Sequence, residues 1–167
     1  AMKKKECERE TMTRIDPMKR TLLKLFGLAA LGGCASARGE SRSVAIDHYN
    51  YTNRYIGSIT VNGAWSGGVG AYRGGGTRAL GLMVPRETSK KIVLKVKWNV
   101  GSYYSIESNS YTRAPIEPRA ADVELPTPYP PDADLLVLHF YPDGHVEAEM
   151  TGNRKNRRIP APDGLKD

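Results

Sequence analysis

The chain is poor in the residues on which small secreted domains and metalloproteins usually depend. Its 167 residues include two cysteines, three histidines, two phenylalanines and two tryptophans. The cysteines are Cys7 and Cys34, so nothing after Cys34 can close a disulfide or build a thiolate zinc site. His48, His139 and His145 fit neither a helical metal pair nor a His-x-His pair on a strand. No Gly-x-Ser-x-Gly elbow is present, and no glycine-rich stretch ends in Gly-Lys-Ser/Thr. No catalytic residue, cofactor or metal is therefore expected. Long apolar runs are missing too: Leu22–Leu31, broken by Lys24, is too short to cross a bilayer. After residue 43 no segment keeps a 3.6-residue apolar period for three turns, which argues against helices. Even the net charge of +7 is uneven. Eight of 25 Lys/Arg and four of 18 Asp/Glu precede Cys34, leaving 17 against 14, or +3, for the rest. That balance does not point to nucleic acid.

What is present begins with a leader. Met18-Lys19-Arg20 is a short basic region, Leu22–Leu31 an apolar core, and Leu31-Gly32-Gly33-Cys34 its end. This resembles the lipobox of bacterial lipoproteins, an aliphatic residue and two small ones before the cysteine that receives the lipid. Residues 18–33 are thus expected to be a signal peptide and Cys34 the lipidated residue, with residues 1–17 an upstream extension. Ala35 stands where an aspartate would mark retention at the inner membrane. By resemblance to lipoprotein sorting, the expected location is the periplasmic face of the outer membrane. A tether over residues 34–43 would join the anchor to a domain at residues 44–151, followed by a basic flexible tail at residues 152–167.

The domain reads as all-β. Tyr55–Val61 is rich in β-branched and aromatic residues and stops at Asn62-Gly63, a hairpin dipeptide. Ile92, Leu94, Val96 and Trp98 alternate with Val93, Lys95, Lys97 and Asn99, the period of a half-buried strand. Leu80–Val84 is an apolar run ended by Pro85. Asp134–Tyr141 and His145–Met150 flank Pro142-Asp143-Gly144, a turn with glycine in a left-handed position. Together these predict a small antiparallel β-sandwich of about seven strands.

Two long connections are expected. Ala64–Arg78 is glycine-rich and reads either as a wide hairpin connection or as a recognition loop anchored by Trp65, Tyr72, Arg73 and Arg78. Arg113–Asp132 is proline-rich and should run extended around one strand near Asp122–Leu125, covering a sheet edge. His145, Glu147 and Glu149 would share one strand face, readable as an acidic site or as a solvated outer face. The cluster Arg154-Lys155-Asn156-Arg157-Arg158 reads as a solvated tail or as a contact to anionic headgroups.

Tyr49–Ile56, Val61–Gly68 and Gly74-Gly75-Gly76, with the basic strand ending in Trp98 and the late strand holding His139 and Phe140, resemble a family of proteobacterial lipoproteins of unknown function. The likeness covers roughly residues 43–150. It implies a small β-rich lipoprotein without catalytic residues. Several members are encoded beside type VI secreted phospholipases and are taken to be immunity proteins. By that resemblance the expected partner is a secreted phospholipase, bound and neutralised by a protein anchored at the membrane it attacks. The alternative is a structural or accessory envelope lipoprotein with no toxin partner. Carriage of a lipid or small ligand would need an internal cavity above about 300 Å³, and a domain of this size has little volume to spare.

Overall fold

The computed structural model describes residues 40–75, 79–152 and 157–165. The leader, Cys34, Arg78 and Arg154–Asn156 lie outside the described residues.

Alternation and turn chemistry set the local elements. Nine strands run among the described residues: β1 Ser41–Asn50, β2 Arg54–Val61, β3 Ala64–Val69, β4 Ala79–Pro85, β5 Ile92–Ser105, β6 Ser110–Thr112, β7 Glu117–Leu125, β8 Leu135–Phe140 and β9 Val146–Thr151. They form two sheets, β4-β1-β8-β9 and β3-β2-β5-β6, with β7 also on β5. The expected all-β sandwich is therefore present. All pairings are antiparallel except β1 with β8, which run parallel from Ala45/Leu135 to Asn50/Phe140.

Asn62-Gly63 makes the β2–β3 turn, both residues at positive φ (50° and 85°), the geometry that matches strand twist. Asn62 also ties the hairpin to β5: its backbone N–H donates to Lys95 O at 2.9 Å and its Oδ1 accepts from Lys95 N at 2.8 Å. The β8–β9 turn closes at Gly144 (φ 90°), whose N–H donates to Tyr141 O.

Three sequence expectations are corrected. Ala64–Arg78 is not a loop throughout, because its first six residues are strand β3. The strand in the proline-rich segment begins at Glu117, not near Asp122, and pairs with β5 from Val100/Glu117 to Ile92/Leu125. Pro118 is tolerated because β7 is an edge strand, where a missing N–H breaks no second ladder. The first strand begins at Ser41, inside the expected tether. Beyond β7, the proline-rich chain packs back on the domain through buried Tyr129, whose hydroxyl donates to Pro85 O at 2.6 Å.

The main core lies between the sheets. Ile46, Leu136, Leu138 and Phe140 from one side meet Ile56, Ile59, Leu94, Val96 and Trp98 from the other. Phe140 sets its ring against Trp98 at 5.5 Å between centroids, at 64°, a favoured edge-on contact. A second apolar cluster, Tyr49, Tyr51, Leu135 and Val137, lies on the opposite face of β1 and β8. Strand β8 is thereby buried on both sides.

Candidate functional site

The glycines after β2 are seats for tyrosines. A Cβ on Gly68 would stand 2.7 Å from the Tyr55 hydroxyl oxygen and one on Gly74 2.2 Å from the Tyr49 ring. Neither ring could keep its place over a larger residue. Tyr55 then meets Tyr111 edge-on at 6.4 Å, and the Tyr111 hydroxyl accepts from Ala71 N at 2.9 Å. These contacts favour the connection reading for this glycine-rich stretch and explain how so glycine-rich a segment makes a strand.

The three expected anchors among the described residues do not form one loop. Trp65, 60% exposed, sits beside the β2–β3 turn on the outer face of its sheet, opposite Thr60. Tyr72 lies beyond the far end of β3, at φ 54°, with its N–H donating to Thr52 O and its carbonyl accepting from Arg157 Nη1. Arg73 is half-buried, and its carbonyl accepts from Asn50 N. Arg78 lies outside the described residues. The structure thus groups Tyr72 with Arg73 and separates both from Trp65 by the length of a strand.

On the outer face of β8 and β9, His145, Glu147 and Glu149 share a face as expected, but the chain supplies their cation. Arg158 bonds Glu147 and reaches Glu149 at 2.9 Å and the Tyr141 hydroxyl at 3.2 Å. Its backbone N–H donates to the Tyr51 hydroxyl at 3.0 Å, and that hydroxyl lies 2.8 Å from His139 Nδ1. Arg157 lies over the Tyr51 ring at 5.4 Å. Burial pushes the Tyr51 hydroxyl above its ordinary pKa, which keeps it protonated. At Arg157 and Arg158, therefore, the expected solvated tail is docked.

His48 and Ser66 meet between the sheets, Nε2 to Oγ at 2.9 Å, and Ser66 Oγ also donates to Ile59 O. Asp47 is adjacent in sequence, but it accepts from the His48 backbone N–H and belongs to the opposite face of β1. The three do not line up as a relay. Burial, partly opposed by Asp47, lowers the His48 pKa to about 4, so the ring is neutral.

At one end of the sandwich the sheets part to leave a cleft of about 340 Å³. Ile56, Trp98, Val100 and Phe140 line its floor; Asn53, Arg54, Tyr72, Arg119, Tyr141 and His145 line its walls and mouth. Arg54 is fixed by Nε donating to Gly101 O at 3.0 Å, by Nη1 on Glu117 at 2.8 Å, and by the Tyr103 ring at 4.5 Å. Arg119 takes the other Glu117 oxygen at 3.2 Å. Hydrogen bonds from Arg54 and then Arg119 hold the Glu117 carboxyl below its usual pKa. His145 stacks on Tyr141 at 4.2 Å and meets Asp143 at 2.5 Å. The cleft exceeds the volume expected to be spare, and of its lining the sequence singles out only Tyr72, as an anchor, and His145, as part of a possible acidic site. Nothing local marks the others, because they come from separate strands and turns. Among the described residues no group of three or more His, Cys, Asp or Glu could hold a metal ion.

Fold and surface together define a small two-sheet β-sandwich carrying an uncovered aromatic face and an open cleft at one end. A family model described as a protein of unknown function, DUF3304, matches residues 49–148, and the chain belongs to that family. That match runs from the end of β1 to the middle of β9 and so takes in the cleft and the glycine-seated tyrosines. No curated protein and no solved structure matches the chain.

Proposed function

We propose that this protein is a periplasmic lipoprotein, anchored through Cys34 at the outer membrane, that binds and neutralises a type VI secreted antibacterial phospholipase. The observation that carries the binding part is the outer face of the β3-β2-β5 sheet. Trp65, Tyr55 and Tyr111 stand 60%, 44% and 47% exposed there or at its edge, Tyr55 on β2, which is paired on both sides, and Trp65 and Tyr111 on the end strands β3 and β6. Exposed, rigid aromatic side chains are typical anchors of protein interfaces. The lipobox and the resemblance to lipoproteins encoded beside secreted phospholipases support the rest. An anchor confines the inhibitor to the membrane its target must reach and raises its local concentration.

The test mixes a soluble form beginning at Ala35 with the products of the genes on either side of its own, and records binding and phospholipase activity. Nanomolar binding with loss of lipase activity is expected, weakened about thirtyfold or more by Trp65→Ala, the loss of one hot-spot side chain. Binding that survives Trp65→Ala but fails with Arg73→Ala would move the interface to the Tyr72–Arg73 turn. No binding to either neighbour would refute the immunity role and leave an accessory envelope lipoprotein.

A further inference from the structure

The cleft is independent of the aromatic face, and its chemistry is selective. Its floor is apolar: Ile56, Trp98, Val100 and Phe140. Arg54, Arg119 and His145 line it, and no Asp or Glu does. The two guanidiniums share one carboxylate, Glu117, so the pair keeps a net positive charge. Arg54 is held by Gly101, Glu117 and Tyr103 and keeps its buried Nη2 without a hydrogen-bond partner among the described residues, whereas Arg119 has only Glu117 and reaches from β7 to the β8–β9 turn. A Cβ on Gly144 would stand 3.1 Å from Arg119 Nη1. The side chains of Asn53 and Tyr72, beside it in the lining, make no hydrogen bond among the described residues. That net positive charge disfavours a cation, and a bare inorganic anion would leave the apolar floor wet.

We infer that this cleft binds a small amphiphilic anion, one carboxylate or phosphate group on a compact apolar body. The body lies on Trp98 and Phe140, and the anionic group meets Arg119 at the mouth. A guanidinium suits either anion because its fork presents paired donors. The volume, about 340 Å³, is at the small end of ligand sites, so a long acyl chain is not accommodated.

The experiment uses the full chain carrying Trp65→Phe, which leaves Trp98 as the one tryptophan. Phenyl phosphate and benzoate are titrated while Trp98 fluorescence is followed, with inorganic phosphate and benzyl alcohol as the anion-only and body-only probes. A saturable change with at least one of the amphiphilic anions is expected, about tenfold tighter than with either half-probe. Which of the two binds tighter assigns the phosphate or the carboxylate. Arg119→Gln, an edge-strand change at a half-exposed side chain, should keep the fold and weaken binding about tenfold. No saturable change, equal binding of benzyl alcohol or of inorganic phosphate, or unchanged affinity in Arg119→Gln would each overturn the inference. No partner protein enters the measurement, so its failure leaves the phospholipase reading untouched.

Discussion

Strands β8 and β5 each lie at the centre of a sheet, yet they face the surroundings differently. β8 buries all six of its residues, while Ile92–Trp98 of β5 buries Leu94, Val96 and Trp98 and leaves Val93, Lys95 and Lys97 exposed. The outer face of the β8 sheet is covered by the chain itself, with Tyr49, Tyr51 and Tyr141 over Leu135 and Val137 and with Arg157 and Arg158 laid on the tyrosines. The outer face of the β5 sheet carries lysines and unsheltered aromatics. The difference locates where a partner can dock without first displacing part of this chain.

The sharpest way to break that contrast is to place a carboxylate on each outer face. Val137→Asp buries a charge beside Glu149, its register partner, and should cost about 3–5 kcal/mol in chemical denaturation, or abolish folding. Val93→Asp, at a 47% exposed position, should cost about 1 kcal/mol or less. Equal losses would mean the two faces are alike.

Acid tests the interior that both sheets share. The folded-state pKa of His48, about 4, is below its unfolded value of 6.5, so the unfolded chain binds the proton more readily. Stability should therefore be unaffected by this group above pH 6.5 and fall as the pH drops from 6.5 towards 4, by about 3 kcal/mol at most. Denaturation midpoints across that window check the slope, and His48→Gln should flatten it. A midpoint that rises on acidification would contradict a neutral, sealed histidine.

The smallest effect concerns the cover itself. Arg158→Ala leaves Glu147 and Glu149 without their shared cation, at a site where the arginine side chain is 36% exposed. A loss of about 1 kcal/mol is expected, shrinking as salt is added. Amide exchange should quicken in β9 and leave β5 unchanged; equal quickening in both strands would deny that Arg158 acts on one sheet alone.

The two faces differ in how plainly the sequence announces them. The alternation Ile92–Trp98 marks a strand with one wet face, and the unbroken run Leu135–Phe140 marks one with none. Asn62-Gly63 and Pro142-Asp143-Gly144 mark their turns by chemistry that acts within a few residues. β3 stays hidden because glycine has low strand propensity, and what compensates is Tyr55, which comes from another strand. The first half of β7 is hidden by Pro118, acceptable only because no strand lies beyond it. The parallel pairing of β1 with β8 joins segments some ninety residues apart, beyond any local pattern. The cleft is less legible still. Nothing in the sequence links Asn53, Trp98, Arg119 and Tyr141 to one another, and only topology makes them neighbours.

The early start of β1 bears on where the domain can work. With Cys34 lipidated as proposed, the leash from anchor to first strand is Ala35–Glu40, six residues, which reach about 21 Å even when fully drawn out. A domain on so short a leash patrols only a thin layer above the bilayer. It would intercept an attacker at the moment of landing, not while that attacker diffuses through the periplasm.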